Sequence, residues 1–440
     1  MAILVGWQAL VCAACFSVAH AVTEVIGIIS SDTKWTKAKS PYNITGPVLV
    51  KKGVTLTIEA GAIVNINEYY IQVNGTLRVI GRSDDLVRIS GNELRFTKDS
   101  PSWDEQTGSG SIIENAFLDL KLLKVDTRGL LISHNYTLER SPEPKISNNY
   151  IIGKISAGHA IVTNNLIRGS ISDAYNKVIN NTISKGCSGS ADFINNTVGA
   201  GIGGGGTILN NTIGGKVDVM KARIAGNIIK GGITIFSGIV ESNLILAGGT
   251  YGIEIDGGIC VIQNNTIMNC TIGFYSEKGT GEIHYNNIIG CMQELVKLKY
   301  PSQTSDINAT YNWWGTTDEQ EISKRIHDSK YDFNLGTVIF KPFLTAPNPQ
   351  APEPRTRIEF LQSYEPLFPG ETPEPPYIEE EDLTTTTPTP HSPAPTSQQE
   401  TSTPNPEIQQ KDQTTAIIGS IIVIVVLVTG LSLLIYLIKK

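Results

Sequence analysis

The 440-residue sequence has few charged side chains, few aromatic side chains and no excess of basic residues. Asp, Glu, Lys and Arg make up 18% of the chain, Phe, Trp and Tyr make up 7%, and the formal net charge is -7. Nucleic-acid binding needs clustered Lys and Arg to neutralise phosphates, so no nucleic-acid partner is expected. The six histidines lack the close spacing of metal ligands, and the sequence predicts no metal site of that kind.

Helical periodicity is also missing from the middle of the chain. No stretch there shows apolar residues at i, i+3 and i+4, whereas the whole sequence contains 42 glycines. Short strands separated by glycine turns fit this composition. The glycine-rich run at residues 201–206 is not followed by Lys-Ser or Lys-Thr, so it does not predict a phosphate-binding loop.

The sequence does contain a short phrase, Asn-Asn followed closely by Ile or Val, repeated between positions 148 and 287. The second Asn falls at 149, 165, 181, 196, 211, 227, 243, 265 and 287, so the spacing is 15 or 16 residues six times and then 22 twice. Counting that Asn as position 1, position 3 is Ile or Val in every repeat, from Ile151 to Ile289. Such a fixed period predicts an all-β solenoid whose rungs stack at about 4.8 Å.

The doubled asparagine has a structural explanation. Asn tolerates the left-handed conformation of a sharp corner, and stacked Asn side chains can hydrogen-bond to each other. Four of the phrases are also N-glycosylation sequons, at Asn180, Asn195, Asn210 and Asn264. Because an Asn buried in a ladder cannot carry a glycan, we interpret these four as incidental. The remaining sequons are the predicted glycosylation sites: Asn43, Asn74, Asn135, Asn269 and Asn308.

Three segments carry a resemblance to a known fold family. Residues 46–50 (GPVLV), 54–61 (VTLTIEAG) and 73–77 (VNGTL) resemble the N-terminal entry of pectin-lyase-like proteins. The Asn-Asn-x-Ile units, with YGIEI at residues 251–255, are similar to the parallel β-helix repeats of surface and periplasmic members such as the NosD-like group. Residues 311–315 (YNWWG) and 342–344 (PFL) are similar to a common closing segment. The resemblance covers about residues 40–345 and implies a right-handed parallel β-helix, a fold that hosts enzymes, adhesins and binding proteins alike.

The two ends predict export and anchoring. Residues 1–21 are mostly apolar and end in Ala-His-Ala, which predicts a signal peptide, although no Lys or Arg precedes the apolar stretch. Residues 416–438 are long and apolar enough to cross a bilayer, and Lys439 and Lys440 form a short stub whose charge favours the cytoplasmic side. We therefore expect a single-pass type I protein of the cell membrane, with most of the chain outside.

The predicted β-helix domain is residues 22–345, and a stalk of residues 346–415 connects it to the anchor. From position 347 to 406 the chain has 15 of its 22 prolines, next to a run of four threonines and an acidic cluster. This composition cannot bury enough apolar surface to fold, and it predicts an extended, disordered segment.

Acidic residues align best where the period lengthens. In residues 252–256 (GIEID), strand alternation places Glu254 and Asp256 on the outward face, and the next rung offers Tyr275, Glu277 and Lys278 beside them. Glu254, Asp256 and Glu277 are the candidate catalytic residues, and Tyr275 and Lys278 are the candidate substrate contacts. The site could bind a sugar or a bridging calcium ion, and no other cofactor is implied. A solvated acidic strand face is the alternative.

Rungs of 15 or 16 residues leave little chain for the loops that build a catalytic cleft. The sequence therefore favours a noncatalytic surface protein that binds polysaccharide or cell-surface glycans, or has an adhesive or envelope-structural role. The alternative is a membrane-anchored lyase, hydrolase or epimerase acting on polysaccharide. Cys270 and Cys291 lie 21 residues apart, close to one long rung, and this spacing would allow a disulfide between neighbouring coils outside the cell.

Overall fold

A computed structural model describes residues 22–126, 141–248, 251–299 and 306–354. Within these ranges the chain is all-β: it has 33 strands, one 3-10 helix (Lys37–Lys39) and one α-helix, α1 (Glu319–Lys324). Every strand pairing is parallel, and each strand pairs with its counterpart one turn later along the chain. The expectation of an all-β parallel solenoid is confirmed.

The strands in chain order are β1 (Thr23–Ile29), β2 (Thr33–Trp35), β3 (Tyr42–Val50), β4 (Thr55–Glu59), β5 (Ile63–Val73), β6 (Thr76–Ile80), β7 (Val87–Phe96), β8 (Ile112–Glu114), β9 (Ala116–Val125), β10 (Lys145–Ser147), β11 (Tyr150–Gly158), β12 (Ile161–Thr163), β13 (Leu166–Ala174), β14 (Lys177–Ile179), β15 (Thr182–Ile183), β16 (Cys187–Ile194), β17 (Thr197–Val198), β18 (Ile202–Leu209), β19 (Thr212–Ile213), β20 (Val217–Ala225), β21 (Ile228–Ile229), β22 (Ile233–Glu241), β23 (Leu244–Leu246), β24 (Tyr251–Ile255), β25 (Ile259–Gln263), β26 (Thr266–Met268), β27 (Ile272–Ser276), β28 (Thr280–His284), β29 (Asn287–Ile289), β30 (Val296–Leu298), β31 (Ile307–Asn308), β32 (Ile326–His327) and β33 (Val338–Ile339).

The later turns show the three-sided plan most plainly. One turn consists of β24, β25 and β26, and these pair in register with β27, β28 and β29 of the next turn. Side chains alternate between the interior and the outside along each strand. The interior is a continuous apolar core, in which the predicted position-3 residues from Ile151 to Ile267 are all buried. Burial of these branched side chains is the main source of stability.

A ladder of asparagines runs along one corner, and each member is buried. Each side-chain amide donates to the Oδ1 of the next Asn at 2.9–3.1 Å, and the backbone N–H of each Asn donates to the same oxygen. The amide also donates to a backbone carbonyl, as Asn165 does to Ile146 at 2.9 Å. The members of this Asn ladder are Asn149, Asn165, Asn181, Asn196, Asn211, Asn227, Asn243, Asn265, Asn286 and Asn312.

The register predicted for the last repeat is wrong by one residue. Asn286, not Asn287, belongs to the Asn ladder, and Ile288, not Ile289, pairs with Ile267 and is buried. Asn287 instead exchanges hydrogen bonds with the backbone of Asn348. The run Asn-Asn-Ile-Ile fits both registers, so the sequence phrase could not separate them. Spacing in the ladder is therefore 22, 21 and 26 residues after Asn243.

The C-terminal end of the solenoid is closed by residues that follow the last long turn. Trp314 is buried, as is Ile322 of α1, whose N-terminus is capped by the side chain of Asp318. The following chain, up to residue 354, returns over the last corner: Asn348 donates to the backbone carbonyl of Tyr285, and Ala351 is buried. Within the first nine residues of the predicted stalk, 346–354, Asn348 and Ala351 thus pack against the solenoid.

Several predicted features lie outside the described residues: the signal peptide, the rest of the stalk, the segment 416–438 and the sequon at Asn135. In the part of the chain that is described, no helix is long and apolar enough to cross a membrane.

Candidate functional site

The predicted site residues lie together on the outward face formed by β22, β24, β27, β30 and β32, here called the long-rung face. Glu254 is in register with Thr234 on one side and with Tyr275 on the other. The column continues through Lys297 to His327. Side chains from five successive turns therefore form one row across the strands.

Glu254 is held by partners from earlier turns. The hydroxyl of Thr234 donates to its Oε2 at 2.6 Å, and the Lys216 ammonium lies 3.6 Å from the same oxygen. The Glu254 side chain is only 19% exposed. A carboxylate engaged in this way is positioned and partly neutralised before any ligand arrives.

Asp256 and Glu277 form a hydrogen-bonded carboxyl pair beside that column. The hydrogen bond with Glu277, together with partial burial, raises the pKa of Asp256. The hydrogen bond from Lys299, at 2.8 Å, lowers the pKa of Glu277, and the bond with Asp256 adds to this effect. Lys278 stabilises the ionised form of both carboxyls. Of the two groups, Asp256 is the one that retains its proton to higher pH.

Tyr275 is placed differently from the expectation. Its ring is stacked under that of Tyr251, with centroids 4.3 Å apart and planes 9° apart, and only 6% of Tyr275 remains exposed. The Lys299 ammonium lies 6.0 Å from the Tyr275 ring centroid. A ligand would therefore contact Tyr251, which was not among the predicted site residues. Tyr275 packs beneath the Tyr251 ring.

This arrangement has more features of a binding surface than of a hydrolytic centre. Glycoside hydrolases hold their two carboxyls about 5 Å or more apart so that the reacting carbon of the sugar, and in inverting enzymes also a water, fits between them. Asp256 and Glu277 are in direct hydrogen-bond contact instead. The candidate catalytic residue Glu254 is bonded to Thr234 and Lys216. The residues offer donors, acceptors and an aromatic ring to a polar ligand.

A metal site does not form from these carboxylates. Among the described residues, no group of three or more His, Cys, Asp or Glu is disposed to hold a metal ion. The bridging calcium ion considered from the sequence thus has no protein cluster on this face, in which Glu254, Asp256 and Glu277 are paired with lysines or with each other.

One concave region lies away from the long-rung face, and another lies at its C-terminal end. A groove of about 680 Å³ is lined by the loop after β7, where the Trp103 ring lies within 5.7 Å of both Arg78 and Lys145, and Lys145 pairs with Glu105 at 2.8 Å. The long interval between β7 and β8 is the sequence signal for this loop. A smaller depression of about 290 Å³ is lined by Arg325, His327 and other residues at the C-terminal end of the long-rung face.

The cysteines are structural. Cys270 and Cys291 form a disulfide between neighbouring turns, with their Cα atoms 4.6 Å apart. Cys187 and Cys260 are buried thiols, and burial raises the pKa of Cys187 to about 12 and that of Cys260 to about 11. Such thiols are unreactive at neutral pH because the thiolate is the nucleophile.

The predicted glycosylation sites divide into two groups. Asn43, Asn74 and Asn308 are partly buried in or next to strands, and their side chains form hydrogen bonds, including one from Asn308 to Glu282. Asn269 is exposed at a corner. The repeat sequons were expected to be incidental because their Asn would be buried in the ladder, and this expectation of burial is wrong. Each sequon uses the first Asn of its pair, whereas the Asn ladder uses the second.

Comparison with known protein families, with curated proteins and with solved structures finds no match for this chain.

Proposed function

We propose that this chain is a noncatalytic, cell-surface β-helix protein that binds glycans through the long-rung face. The observation that carries the proposal is the stacked Tyr251–Tyr275 pair, flanked by the ion-paired carboxylates Glu254 and Glu277. Stacked aromatic rings offer a flat apolar area, and the surrounding charged groups offer hydrogen bonds to hydroxyls. The same combination suits a neutral or weakly charged sugar chain.

The rest of the proposal concerns location and fold family. Export by residues 1–21 and anchoring by residues 416–438 would place the solenoid outside the cell membrane on a Pro/Thr-rich stalk. The parallel solenoid supports a pectin-lyase-like, right-handed β-helix. Polysaccharide or surface glycans are then the partners that the long-rung face would meet.

The test is glycan-array binding by the full-length chain in detergent. Tyr251→Ala should weaken binding of any captured glycan about tenfold, equivalent to about 1.4 kcal/mol. The matched control is Tyr175→Ala, since Tyr175 is an exposed ring stacked on His159 in a short rung, 5.6 Å between centroids. Equal losses in the two variants, or unchanged binding by Tyr251→Ala, would remove the long-rung face from the proposal.

An enzyme acting on polysaccharide is the second candidate, and one observation favours it. The neighbouring carboxyls Asp256 and Glu277 have pKa values shifted in opposite directions, which is the pattern of an acid beside a base. Lyase and hydrolase assays on the full-length chain decide between the candidates. Turnover that disappears in Asp256→Asn and in Glu277→Gln would establish the enzyme and end the noncatalytic proposal.

A further inference from the structure

One corner of the solenoid carries a column of residues with left-handed backbone conformation. Each residue directly precedes a member of the Asn ladder, and φ lies between 55° and 68° in all of them. We call this set the corner column: Asn148, Asn164, Asn180, Asn195, Asn210, Gly226, Ser242, Asn264, Tyr285 and Tyr311. The side chains of the corner column point outward, whereas those of the Asn ladder point inward.

Three adjacent members of the corner column are sequon asparagines on the outside of the molecule. Asn180, Asn195 and Asn210 are all exposed, and the threonines two residues later are only partly buried. No hydrogen bond engages these three Asn side chains within the described ranges. Asn264 differs, because it is partly buried and its Oδ1 accepts a hydrogen bond from Asn348 at 3.0 Å.

The pattern of the repeat explains why the Asn of each sequon belongs to the corner column and never to the Asn ladder. Two residues after a ladder Asn comes the buried aliphatic position, such as Ile183 after Asn181, so no hydroxyl can stand there. Two residues after Asn180, Asn195 or Asn210 comes a strand position that is only partly buried, such as Thr182 after Asn180. Modification of the first Asn therefore leaves every ladder hydrogen bond in place.

We propose that Asn180, Asn195 and Asn210 carry N-linked glycans, which form a row along the corner column. The donor is a lipid-linked oligosaccharide phosphate, used by a membrane oligosaccharyltransferase. The Asn Nδ2 attacks C1 of the first sugar, an N-glycosidic bond forms, the bond from C1 to the phosphate oxygen breaks, and the amide loses one proton while the lipid phosphate leaves. The proposal requires export of the chain but is independent of what the long-rung face binds.

The row has a defined geometry. Consecutive rungs are about 4.8 Å apart, so the attachment points in the folded chain are close neighbours. Before folding, the same asparagines are separated by 15 residues and can span up to about 50 Å, which leaves each one accessible to the transferase. Folding then brings the sugar chains together on one edge, away from the core.

Tryptic peptides of the full-length chain, recovered from the membranes of its own cells, give a direct test. Peptide 178–185 contains Asn180, peptide 186–216 contains Asn195 and Asn210, and peptide 155–168 contains Asn164, which has Leu166 in place of the Thr. Mass spectrometry should show oligosaccharide on the first two peptides and none on the third. Recovery of peptides 178–185 and 186–216 only in unmodified form would overturn the proposal.

Matched variants separate glycosylation from folding. Thr182→Val, Thr197→Val and Thr212→Val remove the three sequons without touching an Asn, and the strand column tolerates aliphatic residues because Leu166 and Ile228 occupy it. The triple variant should lose the added mass and keep the parent melting temperature. Leu166→Thr should add a fourth glycan, at Asn164. A triple variant that keeps all of its glycan mass would contradict the assignment.

Discussion

The rungs from Asn149 to Asn243 and the turns after Asn243 share one Asn ladder, but their outward faces carry different side chains. In the short rungs, the residues in strand register with Glu254 are Ser188, Gly203, Asp218 and Thr234. In the long turns the same column consists of Glu254, Tyr275, Lys297 and His327. The same position in the rung therefore holds shorter side chains in the short rungs and longer polar or aromatic side chains in the long turns.

Backbone geometry also differs between the two regions. In the short rungs, glycines at left-handed positions pass close to the preceding rung: a Cβ on Gly189 would lie 2.1 Å from the carbonyl oxygen of Ala174, and one on Gly204 would lie 2.1 Å from that of Gly189. The long turns add residues between strands, as in the turn after β24. The short rungs are thus the more tightly packed part of the solenoid, and the long turns carry the larger polar and aromatic side chains.

The largest expected effect comes from the Asn ladder, which both regions share. Asn165→Ala removes the acceptor for two N–H groups of Asn149 and leaves the carbonyl oxygen of Ile146 without its amide donor. Buried groups left unpaired each cost about 1–3 kcal/mol, so we expect a loss of about 4 kcal/mol in the free energy of unfolding, measured by urea denaturation.

Asn164→Ala is the control for this variant. Asn164 is exposed at φ 56°, outside the Asn ladder and outside any sequon. Its replacement by Ala should cost only about 1 kcal/mol, because Ala lacks the short polar side chain that lets Asn adopt the left-handed region. Similar losses in the two variants would show that the corner, and not the Asn ladder, determines stability.

The second effect concerns the tight backbone of the short rungs. Gly204→Ala combines a φ of 116° with a Cβ 2.1 Å from the carbonyl oxygen of Gly189, and it should cost about 3 kcal/mol. Its neighbour Gly203 offers the matched control, because a Cβ there comes no closer than 3.7 Å to the oxygen of Asp218. Urea denaturation of both variants measures the difference. A tolerated Gly204→Ala would show that the close approach of neighbouring rungs does not require glycine at this position.

The third effect belongs to the long turns. Tyr251→Ala removes the ring that covers Tyr275, and the loss of the stacked pair should cost about 1–2 kcal/mol. Tyr175→Ala in a short rung should cost less than about 1 kcal/mol, because its ring is 47% exposed and its partner is the ring of His159. Thermal unfolding of the two variants compares them. A larger loss for Tyr175→Ala would mean that the short rungs also depend on surface stacking.

The sequence predicted the neighbours that follow from a constant repeat period. It did not predict the contacts that depend on strand register across irregular loops. Strand alternation places Glu254 with Asp256, and one long turn brings Tyr275 and Glu277 beside them. Lys299 and Lys216 were missed because they belong to other turns, separated from the site by intervals that the repeat does not fix. Asn286 was misplaced because a doubled Asn precedes a doubled Ile.

The smallest expected effect is the pH dependence of the carboxyl pair, a feature of the long turns alone. The pKa of Asp256 is raised, so its contribution to stability is lost as the pH rises from 3.8 through the folded-state pKa. The pKa of Glu277 is lowered, so its contribution is gained as the pH rises through the folded-state pKa towards 4.5. Relative to the parent chain, Asp256→Asn should therefore become more stable with rising pH, and Glu277→Gln less stable.

Each difference in the free energy of unfolding should stay below about 1 kcal/mol because both groups face solvent. Melting temperatures between pH 3 and 7 measure the two trends, and parallel trends in the variants would show that the carboxyls do not share a proton.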